Sequence, residues 1–136
     1  MRKLIFILVI GIGFSACKKE AGEGGTSVIE GKVYKIYTFQ TPQGQKDTLY
    51  YQLDAGEDVF IIYSDDEGAV YDDNFETDFN GRYRFEFLRK GKYTIYTYAD
   101  SSDVNTTYDY PVFRHIEITS NNTTYTVEDF VIEKNQ

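Results

Sequence analysis

TDFNGRYRFEFLRKGKYTI, residues 77–95, is the stretch of sequence that decides the fold. Two turn signals divide it. Asn80 and Gly81 form a pair typical of a tight chain reversal, and Gly91 permits a second reversal, because glycine adopts backbone conformations that other residues avoid. The stretch therefore predicts short antiparallel strands that follow one another through tight turns.

Aromatic side chains alternate with charged ones along the first of these strands. Tyr83, Phe85 and Phe87 occupy every second position, and alternate residues of a strand share one face of a sheet. We expect all three rings to point into a core. Tyr93 and Ile95 are expected to re-enter the same core after the second turn.

The rest of the chain from Val28 onward repeats this pattern. No stretch places apolar residues at helical spacing, whereas Tyr, Thr, Val, Ile and Phe recur in short alternating runs. Strands are predicted over residues 28–39, 57–64, 70–78, 82–88, 92–99, 112–119 and 123–132. Seven short strands at this spacing favour a sandwich of two sheets, so the predicted fold class is all-β.

Composition limits the kind of protein further. The chain has 136 residues, of which 41% are hydrophobic and 17% aromatic, enough for one domain with a packed core. A single Cys and a single His argue against a disulfide scaffold or a zinc cluster. The net charge of -8 argues against nucleic acid as a partner.

The stretch 77–95 closely resembles the carboxypeptidase regulatory-like domain. In that family a Thr-Asp turn, a glycine, two aromatics, a leucine, a second glycine and a tyrosine occur at this spacing. Residues 29–33 look like the family's first strand, and residues 58–62 fit its second. The resemblance implies a seven-stranded Greek-key β-sandwich of the transthyretin-like (prealbumin-like) type over residues 28–133, in which the second and fifth strands are neighbours.

Transthyretin-like enzymes that hydrolyse 5-hydroxyisourate depend on several His and Arg residues and on a Tyr-Arg-Gly-Ser C-terminus. This chain has one His and ends Glu-Lys-Asn-Gln. The resemblance therefore implies a domain outside the enzymatic branch, and no enzyme activity is expected.

The N-terminus has the layout of an export signal over residues 1–16. Arg2 and Lys3 are followed by an apolar run and then by the small residues Ser15 and Ala16. The apolar run is shorter than the roughly 20 residues that a membrane span needs. A polar, glycine-rich stretch follows at residues 17–27 and predicts a flexible tether.

Residues 14–17, Phe-Ser-Ala-Cys, resemble the lipobox of bacterial lipoproteins. The resemblance implies that Cys17 is acylated, becomes the new N-terminus and holds the protein at a membrane. The overall composition is like that of many Bacteroidetes lipoproteins, which implies the outer membrane. Both the periplasmic and the surface-facing side remain open.

His115 is the one candidate for acid–base catalysis. It alternates with Phe113 and Glu117 on the strand predicted at 112–119, which places it on the outer face. General acid–base chemistry needs a partner that orients the ring in a pocket, and a same-face neighbour such as Glu117 is too ordinary to indicate one. An exposed strand histidine is the favoured interpretation.

Carboxylates are dense between the second and fourth predicted strands. Calcium prefers six to eight oxygen ligands and tolerates irregular geometry, so these side chains form a candidate calcium site, and no other cofactor is expected. The alternative is a solvated acidic edge that discourages unwanted strand pairing. The candidate ligands are Asp65, Asp66, Asp72, Asp73 and Asp78.

A candidate binding strip lies on the outer face of the second and fifth predicted strands. Phe60 and Ile62 alternate with core residues, and Tyr96 and Tyr98 do the same if a bulge or change of side is allowed. Exposed aromatic strips often mark partner or ligand surfaces. The alternative is that the loop at 100–111, which carries Tyr108 and Tyr110, folds over the strip.

These features together predict a noncatalytic, lipid-anchored β-sandwich module of the bacterial envelope that binds a protein or a glycan. A subunit of a surface fibre, which donates or accepts a strand, is the first alternative. A small hydrolase built on His115 is the second, and it would need a deep pocket in which His115 meets an Asp or Glu.

Overall fold

The computed structural model describes residues 20–101 and 108–134, and these residues form strands without a helix. Within the described ranges, no helix has the length and apolar character needed to cross a membrane. The strands found there are β1 Glu23–Gln40, β2 Lys46–Leu53, β3 Asp58–Ile62, β4 Asp73–Glu76, β5 Arg82–Leu88, β6 Gly91–Asp100, β7 Asp109–Ile118, β8 Thr124–Thr126 and β9 Phe130–Glu133.

Two sheets pack face to face, which confirms the all-β sandwich. One has the antiparallel order β4-β3-β6-β7. In the other, β1 pairs antiparallel with β5 and β2 on one side and parallel with β8 and β9 on the other. The core between the sheets takes residues from both, including Ile29, Val33, Val59, Ile61, Tyr83, Phe85, Tyr93, Ile95, Phe130 and Ile132.

The turn at Asn80 and Gly81 forms as predicted. Gly81 has a positive φ of 65°, and a Cβ there would lie 2.6 Å from the Val33 carbonyl oxygen. The Asp78 carboxylate accepts hydrogen bonds from the backbone N–H groups of Asn80 at 2.8 Å and Arg82 at 3.0 Å. A side-chain group thus closes the turn that starts β5.

Two of the three predicted core rings of β5 are buried, and the third is not. Tyr83 and Phe85 are 1% and 4% exposed, whereas Phe87 is 67% exposed. Phe87 has a positive φ of 58°, which interrupts the strand alternation, so that Leu88 takes the next core position. The prediction for Phe87 was wrong because this local twist cannot be seen in the alternating pattern.

β6 needs no bulge to present its aromatics on the outer face. Its register with β7 is continuous from Gly91 to Asp100. Tyr93 and Ile95 are buried in the core as predicted, and Tyr96 and Tyr98 reach the opposite face by simple alternation. The predicted bulge or change of side was therefore wrong.

Strand number and bounds also differ from the prediction. The prediction missed β2, the second strand of the β1–β2 hairpin. Its sequence, KDTLYYQL, has no clear alternation of apolar and polar residues. The hairpin closes at Thr41, whose N–H donates to the Gln45 carbonyl at 2.7 Å. The single strand predicted at 123–132 is divided into β8 and β9, and the strand predicted at 70–78 is reduced to β4.

Residues 20–27 differ from the flexible tether that their composition predicts, because β1 begins at Glu23. The Gly22 N–H donates to the Tyr93 hydroxyl at 2.8 Å, and the Arg89 N–H donates to the Gly22 carbonyl at 2.8 Å. These hydrogen bonds tie the segment to the body of the sandwich. Cys17 and the rest of the predicted tether lie outside the described residues.

Charged side chains form a cluster where β2 leads into β3. Lys35 forms an ion pair with Asp54, which is only 3% exposed, and Lys134 Nζ lies 3.0 Å from Glu57 Oε1. Burial raises the pKa of Glu57 above its ordinary value of 4.5; the Lys134 ammonium opposes the shift, and the Asp54 carboxylate adds to it. Asp54 Oδ2 has no hydrogen-bond partner among the described residues.

We expect Glu57→Gln to stabilise the fold at neutral pH. A carboxyl whose pKa is higher in the folded chain than in the unfolded chain binds its proton more tightly when the chain is folded. The stability that this bound proton contributes is lost as the pH rises from 4.5 through the folded pKa. Gln cannot lose a proton, so the advantage of the variant should grow across that window and then level off. Urea denaturation at a series of pH values measures it, and a pH-independent difference would contradict the raised pKa.

Candidate binding surface

The outer face of the four-stranded sheet carries the candidate site. Strand register places Phe60 opposite Tyr96 and Tyr96 opposite Phe113, while Tyr98 lies opposite Pro111. Because every second residue of a strand shares a face, these side chains form one continuous row across β3, β6 and β7. The prediction that the second and fifth predicted strands are neighbours corresponds to the pairing of β3 with β6.

Five rings form what we call the aromatic surface: Phe60, Tyr71, Tyr96, Tyr98 and Phe113. Phe60 is at its centre. Its ring stacks on Tyr96 with centroids 5.0 Å apart and planes at 20°, and it contacts Tyr71 at 4.8 Å and Tyr98 at 6.0 Å. Tyr96 in turn packs on Phe113 at 5.3 Å. Tilted and offset rings at these distances are the arrangement that aromatic groups prefer.

The rings of the aromatic surface divide into a support and a solvent-facing part. Tyr96 is 8% exposed and Phe60 is half-buried, whereas Tyr98 and Tyr71 are 38% and 47% exposed. Burial raises the pKa of the Tyr96 hydroxyl, and the neighbouring Tyr98 adds to the shift. The Tyr96 hydroxyl therefore stays protonated at neutral pH.

Ile62 does not contribute to the surface, although the sequence placed it in the binding strip. It is 2% exposed. The loop after β3 turns back toward the sheet, because the Thr94 hydroxyl donates to the Ser64 carbonyl at 2.8 Å and the Asp72 N–H donates to the Ile61 carbonyl at 2.8 Å. The same loop brings Tyr71 onto Phe60, a contact that strand alternation could not reveal.

The loop predicted to cover the strip lies partly outside the described residues, at 102–107. Tyr108 and Tyr110, the two rings expected to do the covering, are 59% and 41% exposed. Phe113 was recognisable in the sequence as an outer-face residue, but its contact with Tyr96 depends on the β6–β7 register. The aromatic surface thus combines three residues of the predicted binding strip, Phe60, Tyr96 and Tyr98, with two that the tertiary structure adds, Tyr71 and Phe113.

His115 lies on the outer face as predicted and joins a hydrogen-bond network. Its Nε2 is 2.7 Å from Glu67 Oε1, and its Nδ1 is 3.1 Å from Thr94 Oγ1. The partner is Glu67, from the loop after β3, and not the same-strand Glu117. The imidazole is 48% exposed and borders an open groove of about 500 Å³, which it shares with Asp65, Lys92, Tyr93, Ile116 and Glu117.

This network contains a hydroxyl, an imidazole and a carboxylate, the groups of a nucleophilic triad. Thr94, however, has no exposed surface, and its hydroxyl proton is directed to the Ser64 carbonyl. The loop after β3 therefore covers that oxygen and separates it from a substrate. The network holds the loop after β3 against β6 and β7, and it does not form the deep pocket that the hydrolase alternative needs.

The carboxylates of the candidate calcium site do not converge. Asp65 pairs with Lys92 at 2.9 Å, and the hydrogen bond with Lys92 lowers the pKa of Asp65. The other four accept hydrogen bonds from nearby backbone N–H groups: Asp66 from Gly68, Asp72 from Tyr63, Asp73 from Asn74, and Asp78 from Asn80 and Arg82. Over residues 20–101 and 108–134, no three His, Cys, Asp or Glu side chains could hold a metal ion together. Calcium binding stays a prediction.

Comparison with solved structures finds only distant similarity. No family model matches the chain, and no curated protein matches it. The chain is similar to a crystal structure described as a "putative carbohydrate binding protein" from Pseudomonas aeruginosa, with 15% identity and a TM-score of 0.45 over 84% of this chain and 92% of that one. Two proteins related at this level need not share a ligand.

Proposed function

We propose that this chain is a noncatalytic, lipid-anchored β-sandwich of the bacterial envelope, and that its aromatic surface binds a glycan. The observation that carries the proposal is the exposure of Tyr71 and Tyr98 beside the stacked pair of Phe60 and Tyr96. The signal-like residues 1–16 and the lipobox-like sequence before Cys17 support the anchor.

The finer fold assignment belongs to the same proposal. The pairing of β3 with β6 supports a transthyretin-like Greek-key domain of the carboxypeptidase regulatory-like type, because that family places its second and fifth strands side by side. Domains of this kind supply a rigid frame, and their function depends on the surface groups they carry.

Ring chemistry favours a glycan as the ligand. A sugar ring presents a flat face of C–H groups to an aromatic ring and hydroxyls at its edge, and Tyr offers both an apolar ring and a hydroxyl partner. The aromatic surface consists of Phe and Tyr side chains and includes no Lys, Arg, Asp or Glu, which suits a neutral ligand. A protein partner that docks on the same rings is the alternative outcome of the test.

Tyr98→Ala and Tyr71→Ala are each expected to weaken glycan binding by up to about tenfold, and the double variant to abolish it, because one aromatic contact contributes about 0.5–1.5 kcal/mol. Both side chains are partly exposed, so the fold should survive. Binding is measured on an array of neutral oligosaccharides and by affinity electrophoresis in polysaccharide gels.

The matched control for these variants is Tyr51→Ala. Tyr51 is also an exposed tyrosine, at 65%, but it belongs to β2 in the other sheet. Its loss should leave glycan binding unchanged. Unchanged glycan binding by the double variant would overturn the proposal. The proposal would also be overturned if Tyr71 and Tyr98 bound a protein and no glycan.

An edge strand favours a second candidate, the subunit of a surface fibre. β7 is ten residues long and, among the described strands, pairs only with β6. An unpaired edge of this length can accept a strand from another chain. Fibres in electron micrographs of the purified mature protein would favour this candidate over the glycan-binding module.

A further inference from the structure

The first described residues of the chain lie at one end of the sandwich. We call it the Arg89 end and define it by residues 24–26, 89–90 and 119–122. The Asn122 N–H donates to the Thr26 hydroxyl at 3.0 Å, and the Ser27 hydroxyl donates to the Ser120 carbonyl at 2.7 Å. These bonds join the start of β1 to the turn between β7 and β8.

The segment before β1 is fixed at the same end. Arg89 Nε donates to the Glu20 carbonyl at 2.8 Å, and the Arg89 N–H donates to the Gly22 carbonyl at 2.8 Å. Ala21 packs so closely that a Cβ on Gly91 would lie 2.6 Å from the Ala21 Cβ. The chain is therefore held to the body from Glu20 onward.

Chain length then limits where a membrane anchor can sit. Glu20 is three residues after Cys17, and an extended chain covers at most about 3.3–3.6 Å per residue, or roughly 11 Å in all. The opposite end of the sandwich, which we call the Phe79 end, consists of residues 54–57 and 78–81. β6 runs the length of the sheet with ten residues, about 33 Å at the rise of a strand.

We propose that the Arg89 end rests on the surface of the bilayer that holds the acylated Cys17, while the Phe79 end points away from it. This inference rests on the lipid anchor of the proposed function. The tether is too short for the Phe79 end to reach the same surface unless the bonds of Arg89 to Glu20 and Gly22 break.

Polar groups at this end suit lipid headgroups. Lys90 is exposed and, within the described part of the chain, makes no ion pair or hydrogen bond, so its ammonium can bind a headgroup phosphate. The acidic charge of the nearby loop after β3 is compensated in part, since Asp65 pairs with Lys92. The orientation follows from the tether, and the Lys90 contact adds to it.

This orientation has a consequence for the aromatic surface. Tyr98 lies near the end of β6 that is remote from Gly91, whereas the acidic loop and His115 lie nearer to Gly91. The exposed rings would then be held away from the headgroups. A glycan could reach them without competition from lipid.

The absence of Trp from the chain allows a direct test. Asn121→Trp places a fluorophore at the Arg89 end and Phe79→Trp places one at the other end; both positions are exposed. The chain from Cys17 is coupled through its thiol to a maleimide phospholipid in vesicles with dansyl-labelled headgroups. With excitation that avoids tyrosine, we expect loss of Trp fluorescence by energy transfer for Asn121→Trp and almost none for Phe79→Trp.

Equal transfer from the two variants, or stronger transfer from Phe79→Trp, would overturn the orientation. Soluble samples of both variants, prepared without the lipid, serve as controls for changes in folding and in Trp fluorescence. Mass spectrometry of the native protein addresses the anchor separately: a bare Cys17 thiol would overturn the proposed lipoprotein, whereas an acylated Cys17 with equal transfer overturns only the orientation.

Discussion

Replacement of Lys35 by Met is expected to lower the free energy of unfolding by about 3–5 kcal/mol, the usual cost of leaving a buried charge without its partner. Asp54 is 3% exposed, and Lys35 is its ion-pair partner. Burial alone would lower the pKa of Lys35, but the hydrogen bond with Asp54 and the negative charges of Asp54 and Glu57 together outweigh burial, and the pKa is raised. Urea denaturation at neutral pH measures the loss.

Two variants test whether the loss comes from the unpaired carboxylate. In the double variant Lys35→Met with Asp54→Asn, most of the stability should return, since the buried carboxylate of Asp54 is removed together with its partner. Lys92→Met is the matched control: Lys92 pairs with Asp65, and both side chains are 61% exposed, so its removal should leave the stability almost unchanged. Equal losses for Lys35→Met and Lys92→Met would contradict the special role of Asp54.

Tyr93→Phe is expected to lower the free energy of unfolding by about 1–3 kcal/mol, the cost of leaving buried hydrogen-bonding groups unsatisfied. The ring of Tyr93 is fully buried. Its hydroxyl accepts from the Gly22 N–H at 2.8 Å and donates to the Arg89 carbonyl at 2.7 Å. Phe keeps the ring but removes both bonds, so the segment before β1 should loosen first.

Hydrogen exchange at the amides of Gly22 and Arg89 distinguishes this local effect from a general loss of stability. Both should lose protection in Tyr93→Phe by more than the amides of β6 do. Tyr125→Phe is the control, because the Tyr125 hydroxyl accepts from Thr119 and Ser120 at an exposed site where water can replace it. Uniform loss of protection across the chain would contradict a local role of the Tyr93 hydroxyl.

The hydrogen bonds of the Tyr93 hydroxyl also bear on the orientation proposed at the membrane. If Tyr93 holds the residues after Cys17 to the body, Tyr93→Phe effectively lengthens the tether. The difference in energy transfer between the two Trp positions should then decrease in that background. The aromatic surface, on the other face of β6, should keep its affinity for the glycan of the proposed function.

Alternation along the strands allowed much of the site to be predicted. Phe60, Tyr96 and Tyr98 could be assigned to an outer face because their neighbours are core residues. Alternation places Ile62 on the same face as Phe60, but Ile62 is buried because a loop returns over the sheet. Tyr71 joins the surface through that loop, and a loop has no periodicity from which its contacts can be read.

Long-range charge pairs were not predictable for a similar reason. Asp54 and Lys35 are far apart in sequence, and each alone is typical of a solvated surface. Their contact needs β1 and the end of β2 to be brought together by the hairpin. His115 likewise meets Glu67, 48 residues away, and not its strand neighbour Glu117.

By itself, the sequence determined the all-β class, the turn at Asn80 and Gly81, and the inward direction of Tyr83, Phe85, Tyr93 and Ile95, because turn chemistry and two-residue alternation are local properties. Only the tertiary structure decided that Phe87 turns outward, that residues 20–27 belong to the sandwich, and that five rings meet on one sheet. These features depend on backbone twist, strand register and returning loops, which are set by contacts between residues distant in the chain.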